Sequence, residues 1–252
     1  MFFSFSLMNF SFVSFASVYD TSKMIYSHGN IIYNKDTFIL RGACVAYNIF
    51  NPNARNYQPK VWEILEDLGV NYINVWGGIE GDLNHINIKN FPNEWAENLD
   101  NFLTEADNHG IKVIFIEMGS RWYSLFGIIS PGISPGETSV SDRPYTPIDE
   151  AKSLIDKLAG DNYLGHDFIT DSRILGWKTS NERDIANEIV YEWNIELCNY
   201  IHSKGGKVWM GSPKFGSWEH EDFDTIEPLI GENVDYLERH MYEITKFYQI
   251  GS

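Results

Sequence analysis

Asn181 and Glu182 close a short run, Gly176-Trp177-Lys178-Thr179-Ser180-Asn181-Glu182-Arg183-Asp184, which follows the apolar stretch Arg173-Ile174-Leu175-Gly176-Trp177 and turns polar within a few residues. A run of this kind reads as a buried strand whose carboxyl end opens into a site. If the strand belongs to a parallel sheet flanked by helices, the pair stands where such folds place their chemistry. A carboxylate there is a candidate proton donor. The same two residue types also suit a helix N-terminus, where Asn caps and Glu complements the dipole, so the pair alone leaves both readings open.

The elements that must position the pair follow from periodicity and breakers. Ile25-Tyr26, a turn at Ser27-His28-Gly29-Asn30 and Ile31-Ile32-Tyr33 form a hairpin. Phe38 to Tyr47 reads as a first core strand, and Pro59 to Leu68 as a helix with Pro at its start and Gly69 at its end. Val70 to Trp76 is a β-branched and aromatic strand stopped by Gly77-Gly78. Trp95 to His109 is a helix ended by Gly110, and Ile111 to Glu117 is a third strand. Met118 to Ile148 carries Pro131, Pro135, Pro144 and Pro147, so it is no single regular element; Trp122, Tyr123 and Phe126 suit a folded lid or groove wall. Beyond it come a helix at Asp149–Leu158, the strand leading to Asn181, a long helix at Ile185–Lys204, a strand at Lys207–Gly211, an irregular Trp218–Ile230 and a sixth strand at Val234–His240. Strands alternating with helices at this spacing imply βαβ units and a parallel sheet.

The 252 residues suit one large α/β domain. A formal net charge of -16 without clustered Lys and Arg argues against nucleic acid or an anionic membrane as partner. No stretch approaches the length of a membrane span. Cys44 and Cys198 lie in apolar segments without CxxC or Cys/His spacing, so no metal site or disulfide framework is indicated, and both are expected to be buried. Met1 to Val18 is Phe- and Ser-rich with an Ala16-Ser17 pair, yet no Lys or Arg precedes Lys23. Residues 1–22 are therefore read as an N-terminal extension or export signal, the latter placing the protein outside the cell, and 23–252 as the catalytic-type domain. Nothing in the sequence sets an oligomeric state.

Five pieces then occur in a telling order: Leu40-Arg41-Gly42, Leu68-Gly69-Val70-Asn71, Gly110-Ile111-Lys112-Val113, Gly176-Trp177 through Asn181-Glu182, and His240-Met241-Tyr242. Together they resemble family 5 glycoside hydrolases and their clan, the cellulase and mannanase type of (β/α)8 TIM barrel. The resemblance implies retaining hydrolysis of a β-linked polysaccharide or oligosaccharide without cofactor or metal. It implies Glu182 as general acid/base and Asn181 as the residue that hydrogen-bonds the sugar 2-hydroxyl, roles that retaining chemistry requires. His240 and Tyr242 match the family's strand-six residues that line the catalytic subsite. Trp76 and Trp122, with Tyr123 and Trp218, follow strand ends where an aromatic face can stack on a sugar ring; core packing is the competing reading for each.

There are departures. Asn74 stands where the family usually has Arg supporting the nucleophile, and Arg183 follows the Asn-Glu pair in place of Pro. The family's nucleophilic Glu ends strand seven, and only six strands are read in this chain. The expectation is an incomplete barrel of about six βα units with two open sheet edges, inactive or nearly so because it lacks the nucleophile-bearing strand. A non-catalytic carbohydrate-binding TIM barrel is the alternative.

Overall fold

The computed structural model of the protein describes residues 24–27, 30–33, 36–45, 60–76, 92–116, 145–179, 188–211 and 233–238. Three short antiparallel strands come first: β1 (Met24–Ser27), β2 (Asn30–Tyr33) and β3 (Asp36–Phe38), paired in sequence order with Met24 opposite Tyr33 and Ile31 opposite Phe38. The expected hairpin is thus present and extended by one strand. A parallel sheet follows, built from β4 (Gly42–Val45), β5 (Tyr72–Trp76), β6 (Lys112–Ile116), β7 (Ile174–Lys178), β8 (Val208–Gly211) and β9 (Tyr236–Glu238) in that spatial order. Helices α1 (Val61–Asp67), α2 (Pro92–Asn108), α3 (Ile148–Leu158) and α4 (Glu188–Ser203) alternate with the strands. The architecture is the (β/α)8 TIM-barrel type, with six parallel strands among the described residues. β4 and β9 are the outer strands of that sheet.

Each helix buries one stripe. In α2, Trp95, Leu99, Leu103 and Ala106 recur at helical spacing, all with no exposed surface, and pack in one cluster with Ile73, Val75 and Val113 of the sheet. Burial of each such large side chain stabilises by about 1.5–3 kcal/mol relative to leaving it in water. α4 supplies Val190, Trp193, Leu197, Cys198 and Ile201 to the same layer. Its Trp193 is anchored by an indole N–H bond of 3.0 Å to the Thr146 carbonyl just before α3.

Two of the motif stretches meet at the amino ends of the strands. The Asn71 side chain accepts from the Arg41 backbone N–H at 2.8 Å and donates to the Ile39 carbonyl at 2.9 Å, while Arg41 Nε donates to the Gly69 carbonyl at 2.9 Å. This clasp fixes where β4 begins relative to β5. Gly69 takes φ +68°, a left-handed value that lets the chain leave α1 and turn into β5. A second network ties the amino end of β7 to α2: Arg173 donates to Asp171 Oδ2 at 2.6 Å, to Asp100 Oδ1 at 2.7 Å and to Thr104 Oγ1 at 2.9 Å, and His166 Nε2 also bonds Asp171.

Three sequence expectations need correction. The single strand from Phe38 to Tyr47 is two elements, because Phe38 pairs back with Ile31 in the antiparallel sheet before the chain crosses through Leu40 and Arg41 into β4. α2 begins at Pro92 rather than Trp95; proline fits a first helical turn, whose N–H groups have no partner in the helix. Cys44 is exposed although Cys198 is buried. Cys44 lies on an outer strand of the sheet, so it is covered from one side only by strands among the described residues.

Candidate active site at the carboxyl end of the sheet

Strand alternation separates an outer from an inner side of the sheet. On β7, Trp177 joins the helix-facing core, and the hydroxyl of Thr179 lies 3.7 Å from the sulfur of Cys198 on α4. Lys178, between these two outward residues, therefore points to the inner side, and it has no exposed surface. On β8, Val208 and Met210 belong to the outer core while Trp209 joins a separate inner cluster with Ile114 and Leu175, flanked by Leu40, Tyr72 and Tyr236. That cluster is the filling of the barrel interior.

One inner row runs Lys178, Trp209, Tyr236, neighbours in register on β7, β8 and β9. Trp209 and Tyr236 stack with centroids 4.2 Å apart and planes 19° from parallel. Burial pushes the Tyr236 phenol up to about 12, so it stays neutral across the physiological range. The Trp209 indole N–H has no hydrogen-bond partner among the described residues. Asn74 on β5 is also buried, level with Ile114 and, through it, with Gly176. The pairing of β6 with β7 shifts register between Val113 and Ile114, so that Leu175 is passed over: Val113 pairs with Ile174 and Ile114 with Gly176. That irregularity re-aims the last residues of β7 just before the Asn-Glu pair.

Of the residues singled out in the sequence, Trp76 is the last residue of β5, at its carboxyl end; nothing more of its side chain is described. Asn181, Glu182, Trp122, His240 and Tyr242 lie outside the described residues, as do Glu117, Tyr123 and Trp218. What the structure supplies is the direction of the strand that leads to them: β7 ends at Lys178, so the Asn-Glu pair follows the carboxyl end of a central strand of a parallel sheet. Among the described residues no group of three or more His, Cys, Asp or Glu could hold a metal ion. Lys178, Trp209 and Tyr236 share an inner row of the sheet that periodicity did not single out. The available signal was a lysine inside an otherwise apolar run, which is costly to bury without a partner.

No family model and no curated protein matches the chain. Solved structures do. An endo-1,4-β-mannanase from Rhizomucor miehei is similar over 91% of this chain and 74% of its own, with TM-score 0.60 and 18% identity. A family 5 glycoside hydrolase mannosidase from the same organism matches 91% of this chain and 64% of its own, with TM-score 0.56 and 16% identity. A β-mannanase from Streptomyces thermolilacinus, solved with mannohexaose, matches 87% and 64%, with TM-score 0.54 and 14% identity. The chain thus shares the barrel fold of family 5 glycoside hydrolases and spans about two thirds to three quarters of these structures.

Proposed function

We propose that the protein is a retaining glycoside hydrolase acting on a β-linked glycan of the mannan or cellulose type, with Glu182 as general acid/base and Asn181 on the sugar 2-hydroxyl. The observation that supports this reading is that β7, the strand whose sequence runs on within three residues to Asn181, is a central strand of a parallel sheet in a barrel whose solved likenesses include mannanases. A carboxyl at that point can protonate the departing glycosidic oxygen and then activate water. Trp76 and Trp122 are proposed as stacking platforms, and His240 and Tyr242 as the lining of the catalytic subsite. A retaining site needs its second carboxylate about 5–5.5 Å from the first. Glu182 is the carboxylate that stands in a motif position.

One observation favours a second reading. Asn74, buried on β5, is a neutral residue where the resemblance implies arginine, which suits a barrel that binds glycan without cleaving it. Release of reducing ends from β-1,4-mannan and from cello-oligosaccharides by the full-length protein, compared with its Glu182→Gln variant, separates the two. Hydrolysis that falls about 10²–10⁴-fold in the variant supports the enzyme. Oligosaccharide binding without reducing ends supports the binding protein.

A further inference from the structure

His109 directly follows α2 and stands between carboxylates of two helices. Its Nδ1 lies 2.7 Å from Glu66 Oε2 on α1, and its Nε2 lies 3.6 Å from Glu105 Oε1, one turn back on α2. The ring also lies flat against Trp62 of α1, with centroids 6.2 Å apart and planes 10° from parallel. Trp62 is itself buried and packs on Phe102 of α2 with centroids 5.4 Å apart, so the core sets the position of the imidazole.

A neutral imidazole carries one N–H, so it can donate to one of the two carboxylates and turns a lone pair toward the other. The imidazolium carries two N–H groups and suits both. Two further features favour the cation. An aromatic face attracts positive charge. The carboxyl ends of α1 and α2 meet at this ring, and helix carboxyl ends favour a cation, yet neither helix has a basic residue in its last turn. The cations nearby in the chain or the fold are engaged: Lys112 with Asp107 at 2.8 Å, and Arg41 with the Gly69 carbonyl just past α1 at 2.9 Å. With 20% of its side-chain surface exposed, His109 can exchange a proton with solvent.

We infer that His109 is a proton-operated clasp between the first two βα units: in mild acid it ties α1 to α2 through both Glu66 and Glu105, and near neutral pH it holds one of them only. The proton acts on the fold, not on a substrate, and no turnover is involved. A proton that the folded chain binds more tightly than the unfolded chain stabilises the fold wherever it is bound. The gain is therefore present in mild acid and fades as pH rises through the range in which imidazoles lose their charge, between about pH 5 and 8. The loss expected from Asp171 and Asp235 sets in at lower pH and has the opposite sign.

The test is urea unfolding of the full-length protein and its His109→Gln and Glu105→Gln variants at pH 7.5 and 5.5. Glutamine at 109 can still hydrogen-bond but takes up no charge. The change at 105 leaves the histidine in place and removes one carboxylate, on a side chain that is half exposed. On going from pH 7.5 to 5.5, the folding equilibrium constant of wild type should gain about three- to ten-fold on each variant. A ratio of wild type to variant that is the same at both pH values, for either variant, overturns the clasp and leaves His109 a packing residue. If His109→Gln does not fold, Glu105→Gln decides alone by the same ratio.

Discussion

The indole of Trp209 occupies the space that a side chain on Gly176 would need: a β-carbon built there would lie 2.1 Å from Cδ1 and 2.3 Å from Nε1. The same pairing of glycine with an inner aromatic recurs on β4 and β5, where a β-carbon on Gly42 would meet the Tyr72 ring at 2.0 Å. Small and large residues alternate around the inside so that one strand's ring fills the neighbouring strand's gap. Gly176 also lies in the run that leads in sequence to Asn181 and Glu182.

Gly176→Ala should therefore destabilise the fold by about 2 kcal/mol or more, as overpacking of a tight interior does. Thermal unfolding followed by tryptophan fluorescence reads it. Combining the change with Trp209→Leu should recover part of the loss, because the two residues contest one volume. Independent, additive losses would show that the contact is relieved elsewhere.

Asn71→Ala should cost about 2–3 kcal/mol, since it leaves the Arg41 N–H and the Ile39 carbonyl without the partner that joins β4 to β5. The clasp is at the amino end of the sheet, where changes read as stability rather than catalysis. Denaturant midpoints should fall while the affinity for oligosaccharide holds. A normal midpoint would mean that the clasp is dispensable.

Acid should loosen the molecule from the same end. Burial works to raise the Asp171 carboxyl, but hydrogen bonds and attraction from Arg173, with the bond from His166, outweigh it and hold the group below the usual 3.8. Asp235 is likewise desolvated yet held low by His202 and the Val208 N–H. Carboxyls lower in the folded state bind protons first in the unfolded one, so their stabilisation is complete above about pH 4 and is lost as pH falls below it. Asp171→Asn should remove about 3 kcal/mol at neutral pH by leaving Arg173 part-paired, and should flatten the acid dependence. Equal acid sensitivity in wild type and variant would contradict the assignment.

The order of elements was legible in the sequence because each strand is a short β-branched or aromatic run and each helix ends in a breaker; Gly69, Gly110 and Gly205 all take positive φ after helices. The start of the first core strand was not. Phe38 and Gly42 belong to different sheets, and the switch between them rests on the bonds of Arg41 to Asn71 and Gly69, about 30 residues away, which local pattern cannot register. Nor was the inner row legible. Trp177 and Trp209 look alike in sequence, and only the pairing of β7 with its neighbours shows that one faces the helices and the other the interior. What the sequence shows of the Asn-Glu pair is its position, shortly after an apolar run that turns abruptly polar; the run itself is β7 of the parallel sheet, and the pair lies outside the described residues.

The role proposed for Glu182 as the proton donor is tested most directly by the dependence of its replacement on the leaving group. Rates of the full-length protein and its Glu182→Gln variant are to be compared on a 2,4-dinitrophenyl β-glycoside and on the unactivated β-1,4-oligosaccharide of the same sugar. An acid that protonates the leaving oxygen matters only where that oxygen is a poor leaving group, so the oligosaccharide rate should fall about 10²–10⁴-fold while the dinitrophenyl rate of glycosyl transfer changes little. Equal losses on both substrates, or none on either, would contradict the role assigned to Glu182.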